Sequence, residues 1–370
     1  MSDDSVQHRS QTPQNIRTSE GIRGNICVLP SVICSHIVAD RIAAELANAV
    51  SVPHDHGCAQ LGADNDQTKN TLVSIGKNPN VQGVVVVGLG CEEVQSTEIA
   101  QELENSGIPV RELSIQGVGG TAECITEGVN LANELKTENK IAHNGKIDIG
   151  DLKVGIISSD FTESTLTKAE PLVMKLVNRV IGHGGTILLG GRERFVAHEN
   201  DFSDRCSSDA LPEIQKLVDR YKTEIPQEIR VFREATESSS EEIFKILGKN
   251  KIDQVIRYGH QAPDQPGLYF VDTSSRVEEA MTGLVSAGAH LIIHVTSDGI
   301  PTGHPVVPVL KVTGNRTIYE AMSEDIDVNA YNQTPADLEK LIHGVCGGKL
   351  TRAEEHGLVS FAIERVGPSM

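Results

Sequence analysis

The stretch NPNVQGVVVVGLGCEEVQ, Asn78 to Gln95, decides the architecture. Within it, Gly83 to Gly88 (GVVVVG) is a run of β-branched residues without polar alternation. That is the pattern of a strand covered on both faces, as in a parallel sheet; a strand with one wet face would alternate. The run ends in the turn GLGCEE, so Cys91 should sit just past the strand's carboxyl end. Upstream, Asn25 to Pro30 (NICVLP) reads as a short buried strand and Ile37 to Val50 as an Ala-rich amphipathic helix. Downstream, Val110 to Ile115 reads as a strand, Gln116 to Thr121 as a turn, and a helix follows to about Leu135. Strands alternating with helices imply a doubly wound sheet, whose ligands bind beyond the carboxyl ends of the strands.

The same grammar restarts further along. Strands are expected at Lys153 to Ser158, Gly185 to Leu189, Gln254 to Tyr258, Leu268 to Val271 and Leu291 to Val295. Helices are expected at Lys168 to Gly182 and from Ala336 to about Val345. A chain of 370 residues exceeds what one hydrophobic core holds. The expected fold class is therefore α/β, with two lobes of mainly parallel sheet flanked by helices. Residues 1–19, polar and without apolar periodicity, form a disordered tail in this reading, and 20–136 a first α/β domain bearing Cys/His motifs. Residues 137–151, rich in Asn, Lys and Asp, form a linker, and 152–370 a second α/β domain.

The formal charge of −18 opposes binding to nucleic acid or to an anionic membrane surface. A small anionic substrate then needs a local positive centre. No long apolar run and no basic, apolar leader occurs, which leads us to expect a cytoplasmic protein. Seven cysteines at irregular spacing fit reduced thiols or metal ligands better than a disulfide framework.

Chemistry concentrates in PHDHGCAQLGADNDQ, Pro53 to Gln67. On an extended segment His54, His56 and Cys58, two apart, would share one face, and imidazole with thiolate suits iron or zinc. The plain alternative is a polar surface turn with one half-buried thiol. Cys34, Cys58 and Cys91 all fall in loops at expected strand ends, and three thiolates could hold iron or an iron–sulfur cluster with an open corner. Cys27 lies inside an apolar strand and belongs to the core. The glycine turns GVGG and GHGG lack dinucleotide spacing, and neither a phosphate-loop GK[ST] nor a GxSxG elbow is present.

Taken together, these stretches resemble the altronate/galactarate dehydratase family. The matching segments are Gly21 to Ser35, His54 to Ala59 and Asn78 to Gln95, with weaker ones continuing to Ala330. The resemblance implies removal of water from an aldonate or aldarate to give a 2-keto-3-deoxy acid, with Fe(2+) or an iron–sulfur cluster. It places His54, His56 and Lys311 as catalytic groups, and Arg23, Asn25, Gln116, Ser158 and Asp160 as substrate contacts. Cys34, Cys58 and Cys91 become the metal ligands. A separate small subunit resembling the family's N-terminal domain is the expected partner, along with self-association into a homo-oligomer. The second half departs from the family pattern: Ser158 stands where a cysteine is usual, and Asp298 where a Thr-Gly-Arg-Gly turn has arginine. Those departures leave two other readings: a non-catalytic metal- or acid-binding regulatory or scaffold subunit, and a lyase releasing sulfite.

Overall fold

The computed structural model of the chain describes residues 20–60, 62–138, 147–222 and 230–365; the expected tail at 1–19 lies outside them. The first sheet contains β1 (Asn25–Pro30), β2 (Ala49–Ser51), β3 (Val81–Gly88) and β4 (Val110–Ser114), in the order β2-β1-β3-β4. The second contains β5 (Lys153–Ser158), β6 (Thr186–Leu189), β7 (Gln254–Ile256), β8 (Gly267–Val271), β9 (Leu291–Val295), β10 (Val309–Thr313) and β11 (Val328–Asn329). Its order is β11-β10-β9-β5-β6-β8-β7. Every ladder among the described residues is parallel. Each sheet draws its strands from one side of the segment 137–151, most of which lies outside the described residues.

The valines of β3 explain why this strand had to be apolar throughout. Successive side chains point to opposite faces of a strand. Val85 and Val87 pack into a core with the helices His36–Ala44 and Thr121–Glu138, while Val84 and Val86 join a second core that includes Ile157, Leu188 and Ile292 of the other sheet. Both faces are dry, and the two lobes share that second core. Asn78 and Asn80, just before β3, fasten the junction. The Asn78 amide donates to the Val285 and Ala289 carbonyls at 2.9 and 3.0 Å, and the Asn80 amide to the His290 carbonyl at 2.8 Å.

One expected helix needs correction. Ile37 to Val50 is not a single helix: helix His36–Ala44 stops, Asn48 takes φ 64°, and Ala49–Ser51 pairs with β1 as an edge strand. An apolar Ala/Val run fits either structure, and only the partner strand settles which. Strand β10 and the helices Ala63–Gly76 and Ser96–Asn105 were not read from the sequence. After the helix Arg352–His356 the chain runs back across both lobes, with the Gly303 amide donating to the Leu358 carbonyl at 2.8 Å.

Candidate active site between the lobes

Three loops meet at the carboxyl edge of the first sheet. The Ile33 amide donates to the His56 carbonyl at 2.8 Å, and the Glu93 and Val94 amides donate to the Gly57 carbonyl at 3.2 and 3.3 Å. Gly57 has φ +91°, and a Cβ there would lie 2.2 Å from the Ser31 carbonyl oxygen, so the loops approach this closely only with glycine at the contact. Glu92, nearly buried, organises the GLGCEE turn: its carboxylate accepts from the Gly90 and Cys91 amides at 2.6 and 2.9 Å and from Ser31 Oγ at 3.0 Å. Burial works against that charge, but the amide and hydroxyl donors prevail and hold the carboxyl below its ordinary range.

These loops carry Cys34, Cys58 and Cys91, and all three thiols are exposed, whereas Cys27, Cys124, Cys206 and Cys346 are buried. The three sit on loops that meet at this edge of the sheet. Among the described residues no group of three or more His, Cys, Asp or Glu side chains is placed to hold a metal ion. The thiols as arranged do not form a ligand set for iron or a cluster. The expectation that His54, His56 and Cys58 share a face is corrected in part. The two imidazoles stack with centroids 5.9 Å apart, but positive φ at Gly57 and Ala59 turns the chain and leaves Cys58 in solvent.

Beside this mouth lies a cavity of about 730 Å³. Its wall combines His36, His54, Asp55 and His56 from the first lobe with Ser274, Arg276 and Glu279 from the second, and with the returning segment 361–365. Ser274 and Arg276 follow β8 directly, so this wall too stands at the carboxyl ends of strands. The returning segment is pinned from behind. Glu364 receives Arg192 through two contacts, one of 2.9 Å, and its amide donates to Tyr258 Oη at 3.1 Å.

His54 and His56 line the cavity, but neither ring offers it a nitrogen. His54 donates through Nε2 to the Pro30 carbonyl at 2.8 Å and accepts the His56 amide at Nδ1 at 3.2 Å. His56 donates through Nε2 to the Ile363 carbonyl at 3.2 Å and accepts Gln60 Nε2 at Nδ1 at 3.1 Å. Each ring is therefore neutral and internally bonded. Burial lowers both pKa values, that of His54 to about 4.

The remaining sequence-derived positions scatter. Gln116 borders the mouth, with its amide 3.9 Å from Cys91 Sγ. Arg23 instead ties the chain start to the far helices, donating to Glu354 at 2.8 Å and to the Val345 carbonyl at 2.8 Å. Asn25 opens β1, at the opposite end of the sheet from the mouth. In the second lobe Ser158 donates to Glu170 at 2.7 Å, inside a fully buried pair between Glu170 and Arg194 at 3.0 Å. Both Asp160 carboxylate oxygens are engaged, one by Thr165 Oγ1 at 2.5 Å and the other by the Ser297 amide at 2.7 Å. Lys311 is buried on β10 opposite His294 and donates to the Pro301 carbonyl at 2.9 Å; burial lowers its pKa. These contacts give Ser158, Asp160 and Lys311 work inside the second lobe and set none of them in the wall of the cavity.

Sequence reasoning passed over Ser274, Arg276 and Glu279, although the signal was present. DTSSRVEEA, Asp272 to Ala280, directly follows the expected strand Leu268 to Val271, in the place where a doubly wound sheet binds ligands.

A two-lobed parallel α/β protein with a polar cavity at the strand ends of both lobes is the class that fold and site define. Two family models cover nearly the whole chain. That of the D-galactarate dehydratase/altronate hydrolase second domain matches residues 15–140, and that of the D-galactarate/altronate dehydratase C-terminal domain matches residues 151–369. The chain belongs to the altronate/galactarate dehydratase family, which places it among the lyases. It is similar to the (2R)-sulfolactate sulfo-lyase subunit beta of Chromohalobacter salexigens, 26% identical over 94% of each chain. It is also similar to altronate dehydratase of Bacillus subtilis, at 26% over 95% of this chain and 76% of the relative. Altronate dehydratase of Escherichia coli is 25% identical over 92% of this chain and 71% of the relative. No described helix is long and apolar enough to cross a membrane.

Proposed function

We propose that this chain is a hydro-lyase that dehydrates a sugar acid, an aldonate or aldarate, to a 2-keto-3-deoxy acid in the cavity between the lobes. The observation that carries this reading is that one cavity is walled by both family-matched parts, His54 to His56 from the first and Ser274 to Glu279 from the second. In such an elimination the α-hydrogen leaves as a proton, the β-hydroxyl departs as water, and the enol relaxes to the ketone. Arg276 and Arg365 give an acidic chain a local positive centre for the substrate carboxylate. The neutral His54 and His56 hold the wall through Pro30 and Ile363 and set its shape.

A second reading has its own support: the sulfo-lyase subunit beta matches this chain over 94% of both lengths, against 76% and 71% of the two altronate dehydratases. In that reading the β-substituent is a sulfonate and leaves as sulfite. The relative's name as a subunit also supports a separate small partner for this chain. The test is to incubate the chain, alone and co-expressed with a candidate small subunit, with a panel of aldonates, aldarates and a β-sulfonated hydroxy acid. A 2-keto-3-deoxy acid formed without sulfite supports the first reading. Sulfite release supports the second, and binding of an acid without turnover removes both.

A further inference from the structure

Elimination of water needs a proton for the departing hydroxyl, and the cavity holds few groups able to give one. His54 and His56 have both ring nitrogens bonded within the protein, and the third ring in the wall, His36, is tied through Nδ1 to the Ile33 carbonyl at the start of its helix. Glu364 is closed off by the two contacts from Arg192 and by the Ser274 amide at 3.3 Å. Asp55 stands exposed to solvent. Glu279 differs from all of these. It sits in the first turn of the helix Val277–Ser286, its side chain is 16% exposed, and it lines the cavity. Ser274 Oγ donates to its Oε2 at 3.3 Å and the outward-lying Arg276 reaches its Oε1 at 3.1 Å, both single contacts that leave lone pairs and a proton site open. Its backbone is fixed by Tyr258 Oη, which donates to the Glu279 carbonyl at 2.8 Å.

Resting on the dehydratase reading above, we propose that Glu279 is a catalytic residue, the acid that protonates the β-hydroxyl as it leaves. The substrate's α-C–H bond breaks and its proton passes through a base to solvent. The electron pair is held first in the enolate of the substrate carboxylate, then forms the carbon–carbon double bond of the enol as the β-C–O bond breaks. Its electron pair takes the Glu279 proton, giving water and a Glu279 carboxylate that solvent reprotonates. The enol then loses its hydroxyl proton and gains one at the β-carbon, so the products are one ketone and one water. Burial, and after it the neighbouring Glu364, raise the Glu279 pKa against the pull of Arg276, which favours the protonated carboxyl. A sulfonate substrate would not need this group, because sulfite departs as a stable anion.

The experiment compares wild type, Glu279→Gln and Glu279→Asp in the form that turns over, on the acid the wild type dehydrates, in D2O. Glu279→Gln should lower kcat about 100-fold or more with KM changed only a few-fold. The substrate recovered from it should still carry deuterium at the α-carbon, because forming the enolate does not require the leaving group's acid. Glu279→Asp should regain part of kcat. A Gln variant within tenfold of wild type overturns the proposal. So does a folded Gln variant, judged by an unchanged thermal midpoint, that loses turnover and α-exchange together. A wild type inert on every acid overturns the dehydratase reading itself, whereas an active wild type with an equally active Gln variant overturns this inference alone.

Discussion

At the scale of single residues, the pair of Glu170 and Arg194 engages Ser158, a residue expected to contact substrate. Both side chains are fully buried, Arg194 also donates to the Ile243 carbonyl at 2.6 Å, and Ser158 completes the cluster. Removing one member of such a pair strands a charge without solvent. Glu170→Ala should cost about 3–5 kcal/mol of unfolding free energy. Ser158→Ala should cost about 1 kcal/mol, the scale of one hydrogen bond, and leave KM unchanged. Denaturant titration beside steady-state kinetics checks both; a raised KM for Ser158→Ala at unchanged stability would return that residue to the substrate. The thiols divide in the same way. Burial raises Cys27 to about 12, which makes it an inert packing group, while Cys34, Cys58 and Cys91 stand in solvent at one mouth. Iron held by these three requires their loops to close through the turns at Gly57, Ala59 and Gly90, each at positive φ. Should the loops close so, Cys91→Ser lowers bound iron, whereas Cys27→Ser chiefly alters stability. Iron and sulfide analysis after anaerobic purification reads the difference, and equal iron loss from both variants points to unfolding.

At the scale of elements, the segment before β3 joins the lobes. Asn78 and Asn80 are fully buried, and their amides satisfy carbonyls at the end of the helix Val277–Ser286 and just beyond it. Glu279 belongs to the first turn of that same helix, so the clasp that joins the lobes also orients a wall of the cavity. Asn78→Ala removes a donor from the Val285 carbonyl, which keeps the Gly288 amide, and from the Ala289 carbonyl, for a loss of about 1–3 kcal/mol. It should also reduce turnover in proportion to cavity disorder at temperatures where the protein remains folded. Thermal unfolding together with hydrogen exchange across residues 277–290 would test this, and unchanged exchange there would separate the clasp from the wall.

For the whole molecule, pH dependence follows from buried imidazoles. Burial lowers His290 to about 4 and His294 and His304 to about 3, against an ordinary value of 6.5. The unfolded chain takes up these protons as pH falls below 6.5, while the folded chain resists until pH 3 to 4. The stability they confer is thus complete above 6.5 and declines through that window, by up to about 1.4 kcal/mol per pH unit for each ring. The thermal midpoint should fall from pH 7 to pH 5, and a slope left unchanged by removing one of these rings would contradict the burial. His304→Asn should flatten part of the slope. Glu279, Asp327 and Glu364, whose carboxyls burial raises, work against this slope, so the comparison with His304→Asn isolates the imidazole part.

The sequence by itself determined the fold class. The unbroken valines of β3 need two dry faces, and strand-then-helix order on such strands produces parallel sheets. It also determined that the loops of Cys34, Cys58 and Cys91 lie at a sheet edge, since each follows or precedes a strand, and the blocks from Gly21 to Gln95 carried the family. Tertiary structure alone decided the rest. Whether a histidine nitrogen faces substrate or the Ile363 carbonyl depends on a segment 307 residues away in the chain. That Ser158, Asp160 and Lys311 serve the interior depends on Glu170, Ser297 and Pro301, partners that spacing along the chain does not reveal. Local patterns report periodicity and turns, whereas the cavity is formed by contacts between lobes, and such contacts come into being only when the chain closes on itself.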